Sequence, residues 1–196
     1  MQAKNDSVRY GTVAMAFHWT IAALIFVNVG LGLYFVNVLA HDDPLRDEIA
    51  WLHVSIGISV LVLSAARLMW RLVNPAPPLP VEYGAGKRRL AVATHVALYA
   101  LMIFVPLAGW ALVSLTDRPL VLFGFLPWPK IGFLAAMPAT AKKGIAVVFG
   151  ASHVISALLL FLLAIGHFCA ALFYHFMIRK DQVLQRMVPG TDVAPG

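Results

Sequence analysis

Four apolar runs, at residues 13–40, 49–70, 90–115 and 144–178, divide the chain. Each exceeds the ~20 apolar residues that cross a bilayer core. Lipid offers no partner to backbone N–H and C=O groups, so each run is expected to be a helix. The ~10-residue alternation of barrel strands does not appear. The pattern therefore predicts an all-α membrane protein, a four-transmembrane-helix bundle in one domain over 1–196. HDDPLRDE at 41–48 is a polar turn, and NPAPPLP at 74–80 is an extended linker that cannot continue a helix. Pro106 is expected to kink the third helix. The segment 116–143 carries FGFLPWPKIGF at 123–133. This run is expected in the membrane interface, with Trp128 and the phenylalanines at headgroup depth. The last run has 35 residues and would span ~52 Å as a helix, so one end should project beyond the bilayer.

Composition agrees with the pattern. The chain is 61% hydrophobic and 12% charged, with mean hydropathy +0.82. A soluble domain of 196 residues cannot hide that much apolar surface. The short basic start and apolar run resemble a signal peptide, but the run is long and lacks a clean cleavage site, so an uncleaved helix is expected.

Charge adds an orientation. One side of the four-helix plan carries Lys4, Arg9, Arg67, Arg71, Lys87, Arg88, Arg89, Arg179, Lys180 and Arg186. The other carries Arg46, Arg118, Lys130, Lys142 and Lys143. The excess places both termini and the 72–89 loop in the cytoplasm of a bacterium, with a multi-pass chain in the inner membrane. The basic residues are spread along membrane edges, which argues against nucleic acid as a partner. Cys169 is the single cysteine, so an internal disulfide and a C-x-x-C-H haem attachment are both excluded.

Six of the seven histidines lie in or at the ends of the apolar runs: His18, His53, His95, His153, His167 and His175. Polar groups at such depth need partners. An interhelical hydrogen bond explains one such histidine; it explains six poorly. His153 and His167 are fourteen residues apart, ~21 Å along a helix and within ~40° of one face. They suit two stacked sites, each completed from another helix. By depth, His53 matches His153 and His18 matches His167. Zinc asks for three or four protein ligands. Haem iron asks for two, because its ring supplies the rest, and the missing C-x-x-C-H makes it non-covalent b-type haem. Small residues near the ligands include Gly30, Gly32, Gly57, Gly150 and Gly166, with Gly57 the best placed to make room for a ring. His95 and His175 are candidates for propionate binding or for a quinone and its protons. Arg67 and Arg71 are further propionate candidates. His41 reads as a solvated turn residue.

With these residues in view, the chain resembles the bacterial cytochrome b-561 family over roughly residues 8–190. The resemblance rests on FHW at 17–19, His53-Val-Ser-Ile-Gly57 and the helix end at Arg67. It continues through NPAPPLP, His95-Val-Ala-Leu-Tyr99, Pro106-Leu-Ala-Gly-Trp110 and the tail RKDQVLQRMVP. Tyr174 departs from it, standing where a second histidine beside His175 is expected. The resemblance implies two haem b with axial ligands His18, His53, His153 and His167. It also implies superoxide oxidase activity, passing electrons from periplasmic superoxide to ubiquinone. Arg118, Lys130, Lys142 and Lys143 would attract the anion, although they also read as solvated loop residues or headgroup anchors. A cytochrome b subunit relaying electrons from a dehydrogenase or hydrogenase to the quinone pool is the alternative. Membrane lipid, quinone and superoxide are the expected partners, with a dehydrogenase or a second copy of the chain left open. A haem-free transporter is the remaining rival, and the scarcity of intramembrane acids argues against a proton-coupled pump.

Overall fold

The structure is a computed structural model, described for residues 2–79, 83–179 and 182–191, without the side chains of Phe176 and Arg179. Pro80 of the linker and Lys180 of the basic count lie outside the described residues.

The expected helices form. α1 spans Thr12–Asn37, α2 Pro44–Val73 and α3 Ala85–Ser114. Strands β1 (Val121–Leu122) and β2 (Leu126–Pro127) and the single turn α4 (Gly132–Ala135) follow. α5 spans Ala139–Cys169, runs into a π-helical segment over Ala170–Arg179, and a 3₁₀ turn covers Gln185–Met187. Four of these helices are long and apolar enough to cross a membrane, so the fold is the all-α membrane architecture that the apolar runs predict.

The boundaries differ for local reasons. α2 begins five residues earlier than expected, because Pro44 sits at its first turn and the Asp43 carboxylate accepts from the Leu45 N–H at 2.9 Å. α3 takes in Lys87, Arg88 and Arg89, whose apolar stems can lie along a helix while their charges stay in water. It also runs unbroken through Pro106. α5 starts at Ala139, so Lys142 and Lys143 lie on its first turns.

Burial is inverted relative to a soluble bundle. Large side chains such as Leu72, Leu90, Val147 and Ile178 are about 70% exposed. Small polar ones are hidden: Ser64 and Ser114 are 0% exposed and Ser55 is 1%. In lipid the outward apolar face carries no penalty, and the inside must satisfy polar groups.

The chain divides into two compact units. The first comprises Met1–Ala22, Leu63–Ala100 and Leu162–Gly196. Its N-terminal segment is tied down by Asn5, whose amide donates to the Asn74 and Pro75 carbonyls at 3.1 Å and whose Oδ1 accepts from Gly11 N–H at 2.9 Å. A Cβ on Gly11 would collide with the backbone of Ala3 and Lys4, so this crossing requires glycine. Trp19 Nε1 donates to the Met187 carbonyl at 2.8 Å and Arg186 to the Pro78 carbonyl at 2.8 Å.

The second unit comprises Ala23–Val62 and Leu101–Phe161. Here buried serines hold the 116–131 segment. Ser55 Oγ donates to the Trp51 carbonyl at 2.8 Å and accepts from Phe123 N–H at 2.9 Å. Ser114 Oγ donates to the Trp110 carbonyl at 2.7 Å and accepts from Ile131 N–H at 3.0 Å. Trp128 packs on Ile58, Leu120 and Leu122, and its indole nitrogen is buried.

Each serine thus satisfies a loop N–H that no helix can serve. Ser114→Ala should orphan the Ile131 N–H and cost about 1–3 kcal/mol. A lower unfolding midpoint in detergent, with Thr116→Ala unchanged within about 0.5 kcal/mol, is the expected outcome.

Candidate haem-binding site

In the second unit, His53 of α2 faces His153 of α5, with ring centres 5.9 Å apart and planes at 83°. His53 Nδ1 donates to the Asn28 carbonyl of α1 at 2.9 Å. His153 Nδ1 donates to the Val105 carbonyl of α3 at 2.9 Å. A carbonyl oxygen only accepts, so Nδ1 carries the proton in both rings and each Nε2 keeps its lone pair for a metal.

Both rings are seated in the same way. Four residues after Asn28 comes Gly32, and four residues after Val105 comes Gly109. A Cβ on Gly32 would lie 3.1 Å from His53 Cε1, and one on Gly109 would lie 3.1 Å from His153 Cε1. One helical turn thus supplies a carbonyl for the ring nitrogen and a gap for the ring edge. A Cβ on Gly57 would lie 3.5 Å from the side-chain Nδ2 of Asn28, an ordinary contact distance. Gly30, Gly150 and Gly166 have no such neighbour within 4 Å. Gly109 stands in the Pro106–Trp110 motif without an assigned role in the sequence; its four-residue offset from Val105 becomes meaningful only once His153 is placed against α3. Phe35 packs edge-on to His53 at 5.6 Å, under the Arg46 guanidinium.

In the first unit, His18 of α1 faces His167 of α5, with ring centres 6.3 Å apart and planes at 74°. A third imidazole joins them: His95 of α3 stands 5.4 Å from His167, edge to face, with Nδ1 donating to the Ala91 carbonyl at 2.7 Å. His18 is held differently from the other rings. Arg67 donates to its Nδ1 at 3.1 Å, which makes that nitrogen an acceptor. Arg67 and Arg71 both lie over the Tyr99 ring, at 5.6 and 5.8 Å. His175 lies on the π-helical segment, its Nδ1 2.9 Å from the Tyr83 hydroxyl. Tyr174 packs edge-on to His175 and accepts from Lys87 at 2.7 Å.

The pairs fit haem on their spacing. A metal–imidazole bond is about 2 Å, and a ring centre lies about 1 Å behind its nitrogen, so two axial imidazoles place their centres about 6 Å apart. The observed separations are 5.9 and 6.3 Å. Among the described residues no three His, Cys, Asp or Glu side chains converge on a point that would hold a bare metal ion. The sites therefore suit an iron that brings its own equatorial ligands.

Of the four loop cations, two are paired. Arg118 meets Asp47 at 2.6 Å and Lys142 meets Asp117 at 3.3 Å. Lys130 donates to the Thr116 carbonyl at 2.6 Å, and Lys143 is exposed.

Gly109→Val should push His153 off its seat and weaken haem retention there by about tenfold or more. Pyridine haemochrome per chain after detergent washing measures this. Gly86→Ala, at an exposed position in the first turn of α3, should match the parent.

Comparison with known proteins agrees with this chemistry. The sequence model of a family described as prokaryotic cytochrome b561 matches residues 9–190. Cytochrome b561 homolog 2 of Escherichia coli (strain K12) is 34% identical over 96% of this chain and 95% of its own. Cytochrome b561 homolog 1 of the same organism is 31% identical over 92% and 97%. The probable superoxide oxidase CybB of Yersinia pestis is 25% identical over 92% and 96%. With a family match across nearly its whole length, the chain belongs to the prokaryotic cytochrome b561 family, multi-pass membrane proteins that bind b-type haem and transfer electrons.

Proposed function

We propose that this protein is a di-haem superoxide oxidase that delivers electrons to ubiquinone. The observation that carries the reading is the pair of imidazole couples, His53/His153 and His18/His167, each spaced for one iron. The name of the Yersinia pestis relative supports the donor. Each bound haem would supply a one-electron carrier. In the balanced reaction two superoxide anions each lose one electron and become oxygen. One ubiquinone gains both electrons and two protons and becomes quinol.

This chain's residues serve that reaction in three ways. His53 and His153 arrive with Nδ1 already bonded to backbone, so no reorganisation is needed for Nε2 to bind iron. For His18 to bind through Nε2 with Nδ1 protonated, Arg67 must release Nδ1. The freed guanidinium, with Arg71 beside it, is then available to a propionate. His95 and His175 are the proton-carrying candidates on the same unit, and Tyr83 joins His175 in that role. Both termini lie in the cytoplasm in this reading, and Arg118, Lys130, Lys142 and Lys143 face the periplasm.

The ion pairs reduce the loop's attraction for an anion. Four cations less Asp47 and Asp117 leave a net charge of +2, carried chiefly by Lys130 and Lys143. These two lysines are expected to set the rate of superoxide arrival.

The direct test is a superoxide pulse on purified, haem-loaded protein with ubiquinone, following the haem bands and quinol together. Rapid haem reduction with catalytic quinol formation is expected. Oxidised bands and no quinol above background would overturn the reading and point to a dehydrogenase as donor.

Lys130→Ala with Lys143→Ala should slow haem reduction severalfold at low salt, and the difference should vanish near 1 M salt, where the Debye length is about 3 Å. His153→Ala should lower haem content by about half, as one of two axial couples is lost.

A further inference from the structure

The loop between α3 and α5 contains a hairpin too short and too strained to be a mere connection. β1 and β2 pair antiparallel, Val121 with Pro127 and Leu122 with Leu126. Phe125 N–H donates to the Leu122 carbonyl at 3.2 Å, closing a tight turn. Its two central residues, Phe123 (φ 52°) and Gly124 (φ 79°), are both left-handed, as a type I′ turn demands. Glycine, asparagine or aspartate normally fills the first of these positions, and phenylalanine there is strained. The chain therefore bears a backbone penalty to place an aromatic side chain at the tip.

The hairpin has two chemically distinct sides. Inward, Leu120 and Leu122 are 4% and 3% exposed, packed with Ile58 and Trp128. Outward, Phe123 is 48% exposed, Phe125 76% and Leu126 47%. The two phenylalanine rings stack on each other at 6.5 Å. The arrangement is held firmly: Ser55 Oγ accepts from Phe123 N–H, Trp128 N–H donates to Leu120, and Trp110 Nε1 donates to the Pro129 carbonyl.

We propose that this hairpin is a rigid wedge that inserts Phe123, Phe125 and Leu126 into lipid, at the boundary between headgroups and acyl chains. Two features favour lipid as the occupant. The hairpin lies between two membrane-crossing helices, and the same unit carries further exposed apolar side chains at Phe133 and at Val147 and Val148 of α5. Lys130, three residues after the hairpin ends, is a cation suited to headgroup phosphates where apolar tips meet the membrane; Arg118, on the other side, is held by Asp47. The depth is bounded, because a hairpin's outward backbone groups need water and cannot enter the hydrocarbon core. Trp128 stays out of the lipid; it is the inward anchor.

The test places a fluorophore at the tip. Phe125→Cys on a Cys169→Ser background is labelled with an environment-sensitive dye. The haem-loaded protein is reconstituted in phosphatidylethanolamine–phosphatidylglycerol vesicles. Asp42→Cys, in the polar turn before α2, is the water-facing comparator, and unchanged helix content by circular dichroism checks the fold. The expected result is quenching about twofold stronger by a nitroxide near the glycerol than by one near the chain end, with little quenching by aqueous iodide. Iodide quenching equal to that at position 42 would overturn the wedge. Protection from both nitroxides and iodide would also overturn it, because the tip would then be covered by protein.

Discussion

An imidazole in an apolar interior must have both nitrogens engaged, and that constraint organises this protein. The second unit meets it by borrowing backbone. The Asn28 and Val105 carbonyls each carry a second lone pair, and each takes the Nδ1 proton of a histidine from the neighbouring helix. The ring can come that close only because the residue one turn on is glycine. α1 thereby holds the histidine of α2, and α3 holds the histidine of α5. Both Nε2 atoms keep their lone pairs, on rings whose centres are 5.9 Å apart, and the hydrogen bonds that orient the rings also lock the helices that carry them.

The first unit obeys the same rule with charged groups. His18 Nδ1 accepts a hydrogen bond from Arg67, where His53, His153 and His95 donate one to backbone. His95 packs its edge on His167, and the guanidiniums of Arg67 and Arg71 rest on the Tyr99 ring. An aromatic face partly compensates a cation that water no longer solvates. A cationic, imidazole-rich environment favours anionic groups and proton exchange, which is the chemistry that a propionate or a quinone requires. The π-helical winding over Ala170–Arg179 brings Tyr174 and His175 into this unit, and such windings recur at functional sites.

Between helices, serine does what loops and bulky polar residues do in soluble proteins. Ser55 and Ser114 each return a proton to their own helix and accept one from the 116–131 segment. The result is an ordered loop on helices whose outward faces are apolar. Of its basic residues, Arg118 is neutralised by Asp47 and Lys130 donates to the Thr116 carbonyl, while its Asp117 pairs with Lys142 of α5.

The four helices, the membrane setting and which histidines face each other were legible in the sequence alone. Apolar run length answers directly to bilayer thickness, and helical rise converts residue spacing into depth. Helix ends were less legible, because Pro44 and the snorkelling run at 87–89 extend helices beyond their apolar stretches. Only the tertiary structure decided which glycines seat the imidazoles, Gly32 for His53 and Gly109 for His153. It alone turned Trp128 inward and Phe123 and Phe125 outward, paired Arg118 and Lys142 with acids, and set Arg67 on His18. All of these depend on which face of one helix meets its neighbour. Depth along an axis is written in the order of residues, whereas rotation about that axis is settled only when the helices pack.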